Sequence, residues 1–464
     1  MWIISSIAAI ALAGSYPSDD GPKDVRPNVV LILADDLGRG DLSCYGGKVV
    51  PTPNIDRMAS EGVRFERFYV AAPICSASRC GLITGQFPAR WRITSYLQTR
   101  AGNRACGQDD FLDPSAPSLP RMLKAAGYAT AHIGKWHLGG GRDVVDPPKF
   151  AAYGYDLGLG TYESPEPHPD ITARDWIWSA VDPVKRWERT GWMVDRTLDF
   201  LKDHADAPCF VNLWLDDPHT PWVPSADDMK VGPGGRATGK GDTQERLVKV
   251  LTNLDRQVGR LLDAVRTSKS KRPTLVLFMS DNGPLPTFAR KRTTGLRGSK
   301  LSLYEGGIRM PFIAWGPGLV TAGVVDDATV LASVDLLPSL CALGKTAPPD
   351  GYAADGEDMS AALLGKTAQR SKPLFWEYGR NPTSFAYPKP RGDRSPSIGL
   401  WDGNWKLLVN ADGDGTELFD LATDPAEAKS LADEETDRTQ SLKRRALDMR
   451  RSIVGPGPVP GEAR

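Results

Sequence analysis

Asn28-Val-Val-Leu-Ile-Leu-Ala34 is a continuous apolar run, the pattern of a strand buried on both faces of a sheet. It runs straight into Asp35-Asp36, two carboxylates at a strand's carboxyl end, where α/β sheets place their ligands. Adjacent like charges resist joint ionisation unless a cation neutralises them, and a hard divalent ion is the economical partner. An exposed acidic turn is the plain alternative. The same grammar recurs downstream. Residues 129–133 run into Gly134-Lys-Trp-His-Leu-Gly139, residues 209–214 lead to Asp217-Pro-His219-Thr-Pro221, and residues 274–279 end in Ser280-Asp281-Asn282-Gly283. Between them lie helical patterns at 53–61, 119–126, 193–203 and 244–265, the last with an apolar stripe from Leu247 to Leu262. Strands alternating with helices argue an α/β fold built on a mostly parallel sheet between helices.

A second stretch carries the chemistry: Pro73-Ile-Cys-Ser-Ala-Ser-Arg-Cys-Gly-Leu-Ile-Thr-Gly85. It follows the strand-like residues 63–70 and reads as a helix start. Cys75 falls in the first turn, where free N–H groups and the helix dipole favour a reactive or anionic group. Arg79, four residues on, shares its face. A thiol there is a low-pKa nucleophile or the precursor of another group, and the alternative is an incidental buried cysteine. Lys135 and His137 alternate, so an extended backbone would point both the same way. Prolines fix the loop around His219.

Residues 140–190 are rich in Gly, Pro, Tyr and Trp without clear periodicity and read as a long surface insertion. In it His168, Arg174, Trp176, Trp178 and Trp187 would line a sugar site or serve as loop anchors. Residues 232–241 read as a Gly-rich linker. From about residue 369, short strands at 373–378, 397–401, 405–409 and 417–420, with turns such as Asp402-Gly-Asn, argue antiparallel hairpins followed by a helix near 433–451. The expected organisation is therefore a catalytic domain over 26–368 and a smaller domain of antiparallel sheet plus helix over 369–464.

Composition narrows the partners. Lys and Arg total 57 against 57 Asp and Glu, so no global field draws a polyanion and nucleic acid is a poor partner. Six scattered cysteines make neither a disulfide scaffold nor a zinc site. The apolar run 3–13 ends in Ala11-Leu12-Ala13 and is too short to span a bilayer. It reads as a signal peptide over 1–13, although no Lys or Arg precedes the run. The expectation is an exported protein, periplasmic or secreted, with no stable membrane insertion.

Together these pieces resemble the type I, formylglycine-dependent sulfatases of the alkaline phosphatase superfamily, over residues 27–431. The resemblance rests on Asp35-Asp36, the cysteine box, Gly134-Lys-Trp-His-Leu-Gly139, Pro218-His-Thr-Pro221, Ser280-Asp-Asn-Gly283, and Gly298-Ser-Lys300 with Glu305-Gly-Gly307. Trp401-Asp-Gly-Asn-Trp-Lys-Leu407, Glu417-Leu-Phe-Asp-Leu421 and Asp424-Pro-Ala-Glu427 add to it, while Ala77 stands where most members carry Pro. The resemblance implies an alkaline-phosphatase-like fold. It also implies that Cys75 is oxidised to 3-oxoalanine (formylglycine) by a formylglycine-generating or sulfatase-maturating enzyme. One Ca²⁺ per chain would be held by Asp35, Asp36, Asp281, Asn282 and modified Cys75. The hydrated aldehyde would attack sulfur, with Arg79 and Lys135 stabilising it. His219 and Lys300 would grip the sulfate and protonate the departing alcohol, and His137 would release sulfate in a second step. The expected substrate is a sulfated carbohydrate, with His168, Arg174 and Arg380 as binding candidates and Arg391 and Arg394 as further cations. A phosphonate monoester or phosphodiester hydrolase, and a non-catalytic sulfated-glycan binder, stand as rivals.

Overall fold

The computed structural model describes residues 26–171, 179–232, 237–270, 272–348, 351–382 and 385–454. The expected signal peptide, and Arg174, Trp176 and Trp178, lie outside the described residues. Strands β1 (Asn28–Ala34), β2 (Val63–Tyr69), β3 (Ala129–Gly134), β4 (Leu157–Gly160) and β5 (Cys209–Trp214) come first. A hairpin of β6 (Met229–Val231) and β7 (Ala237–Gly239) follows, then β8 (Thr274–Ser280), β9 (Arg309–Trp315), β10 (Val324–Asp326) and β11 (Leu331–Ala332). The main sheet has the order β10-β2-β9-β8-β1-β5-β3-β4, with β11 also on β2, and β9 runs antiparallel to its neighbours.

Every residue of β1, β5 and β8 is buried, as continuous apolar runs require. Side chains alternate between two cores. Val29, Leu31 and Leu33 pack with the helices Cys75–Thr84, Leu119–Ala125 and Leu336–Leu343. Val30, Ile32 and Ala34 pack with Pro53–Ser60, Arg189–Asp203 and Gln244–Thr267. In-register pairing sets Ala34 beside Ser280, Leu33 beside Trp214 and Gly134 beside Trp214, so the carboxyl ends of four strands fall in one row. Gly134 (φ 112) is tied to this arrangement, because a Cβ there would lie 1.9 Å from the Trp214 carbonyl oxygen.

The second sheet, β12 (Leu374–Glu377), β13 (Ile398–Asp402), β14 (Trp405–Val409) and β15 (Glu417–Asp420), is antiparallel and packs with the helix Thr436–Val454. It is not a separate core: Leu400, Leu407 and Phe419 belong to the same apolar cluster as Phe68 and Tyr304. A buried charge triad also crosses the boundary. Lys406 Nζ lies 2.9 Å from Glu305 Oε1 and 2.9 Å from Glu427 Oε1. The Glu305 N–H donates to Glu427 Oε2 at 2.6 Å, and Tyr69 Oη to Glu305 Oε2 at 2.9 Å. Leu303 N donates to Ser395 Oγ at 2.8 Å, so the connection between β12 and β13 holds the segment that carries Lys300.

Three readings change. The insertion is not all surface loop, since β4 (Leu-Gly-Leu-Gly) extends the main sheet. Its glycines fit because a Cβ at Gly158 would lie 2.1 Å from Phe150. The stretch read as a linker contributes β7 to a hairpin. The helix expected at 193–203 begins at Arg189. All six cysteines are free, and among the described residues no helix is long and apolar enough to cross a membrane.

Candidate active site

The aligned strand ends converge on one cavity of about 430 Å³, lined by Asp36, Cys75, Lys135, His137, His219 and Lys300 among others. Cys75 opens its helix, as its place after the extended Ile74 predicts, and is 3% exposed. Arg79, fully buried one turn on, turns to the strand ends: Nη2 and Nε meet Asp281 Oδ2 at 2.8 and 3.1 Å, and Nη1 donates to the Lys135 carbonyl at 2.5 Å. Lys135 Nζ reaches Asp35 Oδ2 at 2.6 Å, and Lys300 Nζ reaches Asp36 Oδ1 at 2.7 Å. Three buried carboxylates thus face three buried cations.

Burial alone would raise the Asp35 carboxyl, but Lys135, His219, Arg79 and Lys300 outweigh it and hold it well below the usual range. Asp36 is likewise lowered against its burial, chiefly by Lys300. Burial and then the Asp35 charge push Asp281 up to about 7. Asp36 has φ 62, and its N–H donates to Asp281 Oδ1 at 3.1 Å. Asn282 Nδ2 donates to Asp36 Oδ1 at 2.7 Å.

Two oxygens in this cluster, Asp35 Oδ1 and Asn282 Oδ1, are buried without a hydrogen-bond partner among the described residues. Buried orphan acceptors are rare and call for a partner. With Asp36 and Asp281 they form an all-oxygen donor set, which suits a hard divalent cation such as Ca²⁺. Asp35, Asp36 and His219 also offer atoms within 4.8 Å of one another.

The two histidines are held differently. His219 Nδ1 lies 2.6 Å from the Thr220 carbonyl, which can only accept, so Nδ1 carries the proton and Nε2 faces Lys300 Nζ at 3.4 Å and Asp36 Oδ2 at 3.6 Å. His137 Nε2 lies 3.1 Å from the Leu97 carbonyl and 3.2 Å from Glu163 Oε2, both acceptors, leaving Nδ1 as a lone pair without a partner among the described residues. Burial pushes His137 down to about 4 despite the Glu163 charge, and it lowers His219 as well. His137 has φ 55, so the strand alternation expected of Lys135 and His137 stops at Gly134. Both side chains still line the cavity.

His168 and Arg380 are not among the cavity's lining residues. His168 packs on Trp192 at 5.1 Å, and Arg380 bonds the Ser395 carbonyl. Several neighbours carry no signal in the sequence. Glu163, paired with Arg142 at 2.7 Å, lies in the wall with Tyr96, Thr238, Asp242 and Phe385, while Arg186, paired with Asp217 at 2.7 Å, lines an adjoining pocket with Asp35, Lys135 and His219. Of these only Asp217 sits within a singled-out motif.

The mostly parallel main sheet between helices, with a four-stranded antiparallel sheet beside it, is an alkaline-phosphatase-like fold, which solved sulfatase structures share. The crystal structure of Ps i-CgsB superposes with a TM-score of 0.72 over 94% of each chain, at 24% identity. The chain belongs to the sulfatase family, whose profile matches residues 27–346, and is a sulfuric ester hydrolase. It is 28% identical to an N-acetylgalactosamine-6-O-sulfatase of Bacteroides thetaiotaomicron over 91% of this chain and 93% of that one. It is 32% identical to the N-acetylgalactosamine-6-sulfatase of Sus scrofa, over 91% and 84% of the two chains.

Proposed function

We propose that the chain removes sulfate from a sulfated carbohydrate, of the hexosamine 6-sulfate type named for its relatives, with residue 75 acting as formylglycine beside a Ca²⁺. The observation that carries this reading is the single cavity shared by Cys75, Lys135, His137, His219 and Lys300, next to two orphan oxygens. Asp35, Asp36, Asp281 and Asn282 would hold the cation, which when bound supplies Lewis-acid stabilisation of developing negative charge.

Oxidation of Cys75 to the aldehyde, whose hydrate carries two hydroxyls, supplies the attacking oxygen. Arg79 and Lys135 hold their positions through Asp281 and Asp35, and the Lys135 ammonium faces the cavity as a fixed positive charge. Asp36 and Asp35 keep Lys300 protonated against its burial, so its ammonium meets a sulfate oxygen. His219, with its Nδ1 proton committed to Thr220, protonates the leaving oxygen from Nε2 only as the imidazolium, the form that the Asp35 and Asp36 charges favour against burial. His137, neutral with a free Nδ1, takes the proton that releases sulfate from residue 75. A plain Ser would form a sulfate ester, and a plain Cys an S-sulfonate, with no such exit.

The test uses protein co-expressed with a sulfatase-maturating enzyme. Sulfate release from N-acetylgalactosamine 6-sulfate is followed by ion chromatography, and the peptide containing residue 75 by mass spectrometry. Release that tracks the aldehyde fraction is expected. Full turnover by protein whose residue 75 is entirely thiol would end the proposal.

A further inference from the structure

The cavity opens against the second sheet's connection, where Phe385 forms part of its wall. Phe385 is 65% exposed and has φ 50, a backbone region that bulky L-residues avoid. Its ring meets Tyr96, also in the wall, edge-on at 6.3 Å. Two residues on, Tyr387 is 44% exposed, with the Arg380 and Arg394 guanidinium groups 4.5 and 5.2 Å from its ring centre. Arg380 is anchored to the Ser395 carbonyl, whereas Arg394, Arg391 and Lys389 are exposed. The acid of this segment, Asp393, is buried and bound to Arg290 at 2.6 Å and to the Gly298 N–H at 3.2 Å. The exposed charge of 385–394 is therefore all positive, in a chain whose formal net charge is zero.

We infer that this segment is a second saccharide subsite, which takes an anionic sugar joined to the unit that loses its sulfate. The inference rests on the sulfated-carbohydrate reading of the site. Phe385 and Tyr387 present aromatic surface to a sugar ring, and Arg394, with Lys389 and Arg391 beside it, meets a carboxylate or sulfate on that ring. The Arg380 guanidinium, bonded to the Ser395 carbonyl and 4.5 Å from the Tyr387 ring centre, holds that ring in place. The preferred substrate is then an acidic oligosaccharide rather than a free sulfated monosaccharide.

The experiment compares kcat/KM for a hexosamine 6-sulfate monosaccharide with that for the same unit linked to a uronic acid, in the mature enzyme. The linked substrate is expected to be better, and Tyr387→Ala and Arg394→Gln are each expected to lower the ratio about fivefold, the scale of one aromatic or cation contact. The Arg394 part should fade as salt is raised. Direct calorimetric titration with the linked sugar reads the subsite independently of turnover, and absence of sulfate release from either ester would count against the function alone. Equal kcat/KM for the two substrates overturns the inference. So does an unchanged ratio and affinity in both variants. A change in oligomer mass with the ratio unaltered also overturns it, by making the segment a contact between copies.

Discussion

Replacing Lys406 by Met tests the buried triad. The ammonium lies 2.9 Å from each of two carboxylates, and Lys406, Glu305 and Glu427 are all fully buried. Removing one partner of a buried ion pair costs about 3–5 kcal/mol, because the remaining charge is uncompensated. That is a large part of the roughly 5–15 kcal/mol by which domains are stable. The loss carries a pH signature. Burial, and then the Glu305 charge acting against Lys406, leave Glu427 raised to about 7 in the intact protein. A carboxyl whose folded pKa exceeds its unfolded one binds its proton more tightly when folded. Stability is therefore greatest below the unfolded value and falls as pH rises towards about 7, by about 3 kcal/mol over that window. Without Lys406 the folded pKa climbs further, and the loss extends above pH 7. Urea unfolding of both proteins at pH 5 and pH 8 should show a larger deficit for Lys406→Met at pH 8. A deficit that is absent, or equal at the two pH values, would refute the reasoning.

The other expectations concern catalysis. His219→Ala should slow sulfate release from a sugar ester by about 10²- to 10⁴-fold, yet affect an activated aryl sulfate far less, since a phenol leaves without a proton; equal losses in a kinetic comparison would remove His219 from that role. His137 must be neutral to accept a proton, so turnover should fall as pH drops through about 4. Glu163→Gln removes the carboxylate that favours the imidazolium, so this acid limb should move to lower pH in a kcat profile. Rigorous chelation should abolish sulfate release while leaving far-ultraviolet dichroism intact, because the proposed ligands lie at strand ends rather than in the core. Asp281→Asn should weaken Ca²⁺ binding in a titration.

The sheet was legible because a strand buried on both faces must be apolar at every position, as in β1 and β8. The site was legible for a related reason: polar residues directly after such runs, Asp35, Lys135 and Asp281, have nowhere to go but the strand ends. β4 escaped because Leu-Gly-Leu-Gly has no β-branched residue, and its pairing is decided by the room that Phe150 leaves. Glu163 escaped because its partners, His137 and Arg142, meet it only after the insertion folds back on β3. His168 looked free to bind a ligand, but nothing local in the sequence announces Trp192 as its neighbour.

The shared core has a bearing on how the chain is made. Synthesis runs from the amino terminus, and domains tend to fold as they emerge. Here the segment holding Lys300 leans on Ser395, Lys406 and Glu427, all made later. The parallel sheet can pair once β9 is out, yet Tyr69 lacks its Trp376 neighbour until β12 is made, and Tyr304 lacks Phe419 until β15 arrives. A ribosome paused after residue 370 would thus carry a chain with its main sheet complete and the Lys300 segment unsecured. Two separately expressed pieces, divided in the connection before β12, should find each other and restore a single cooperative unfolding transition.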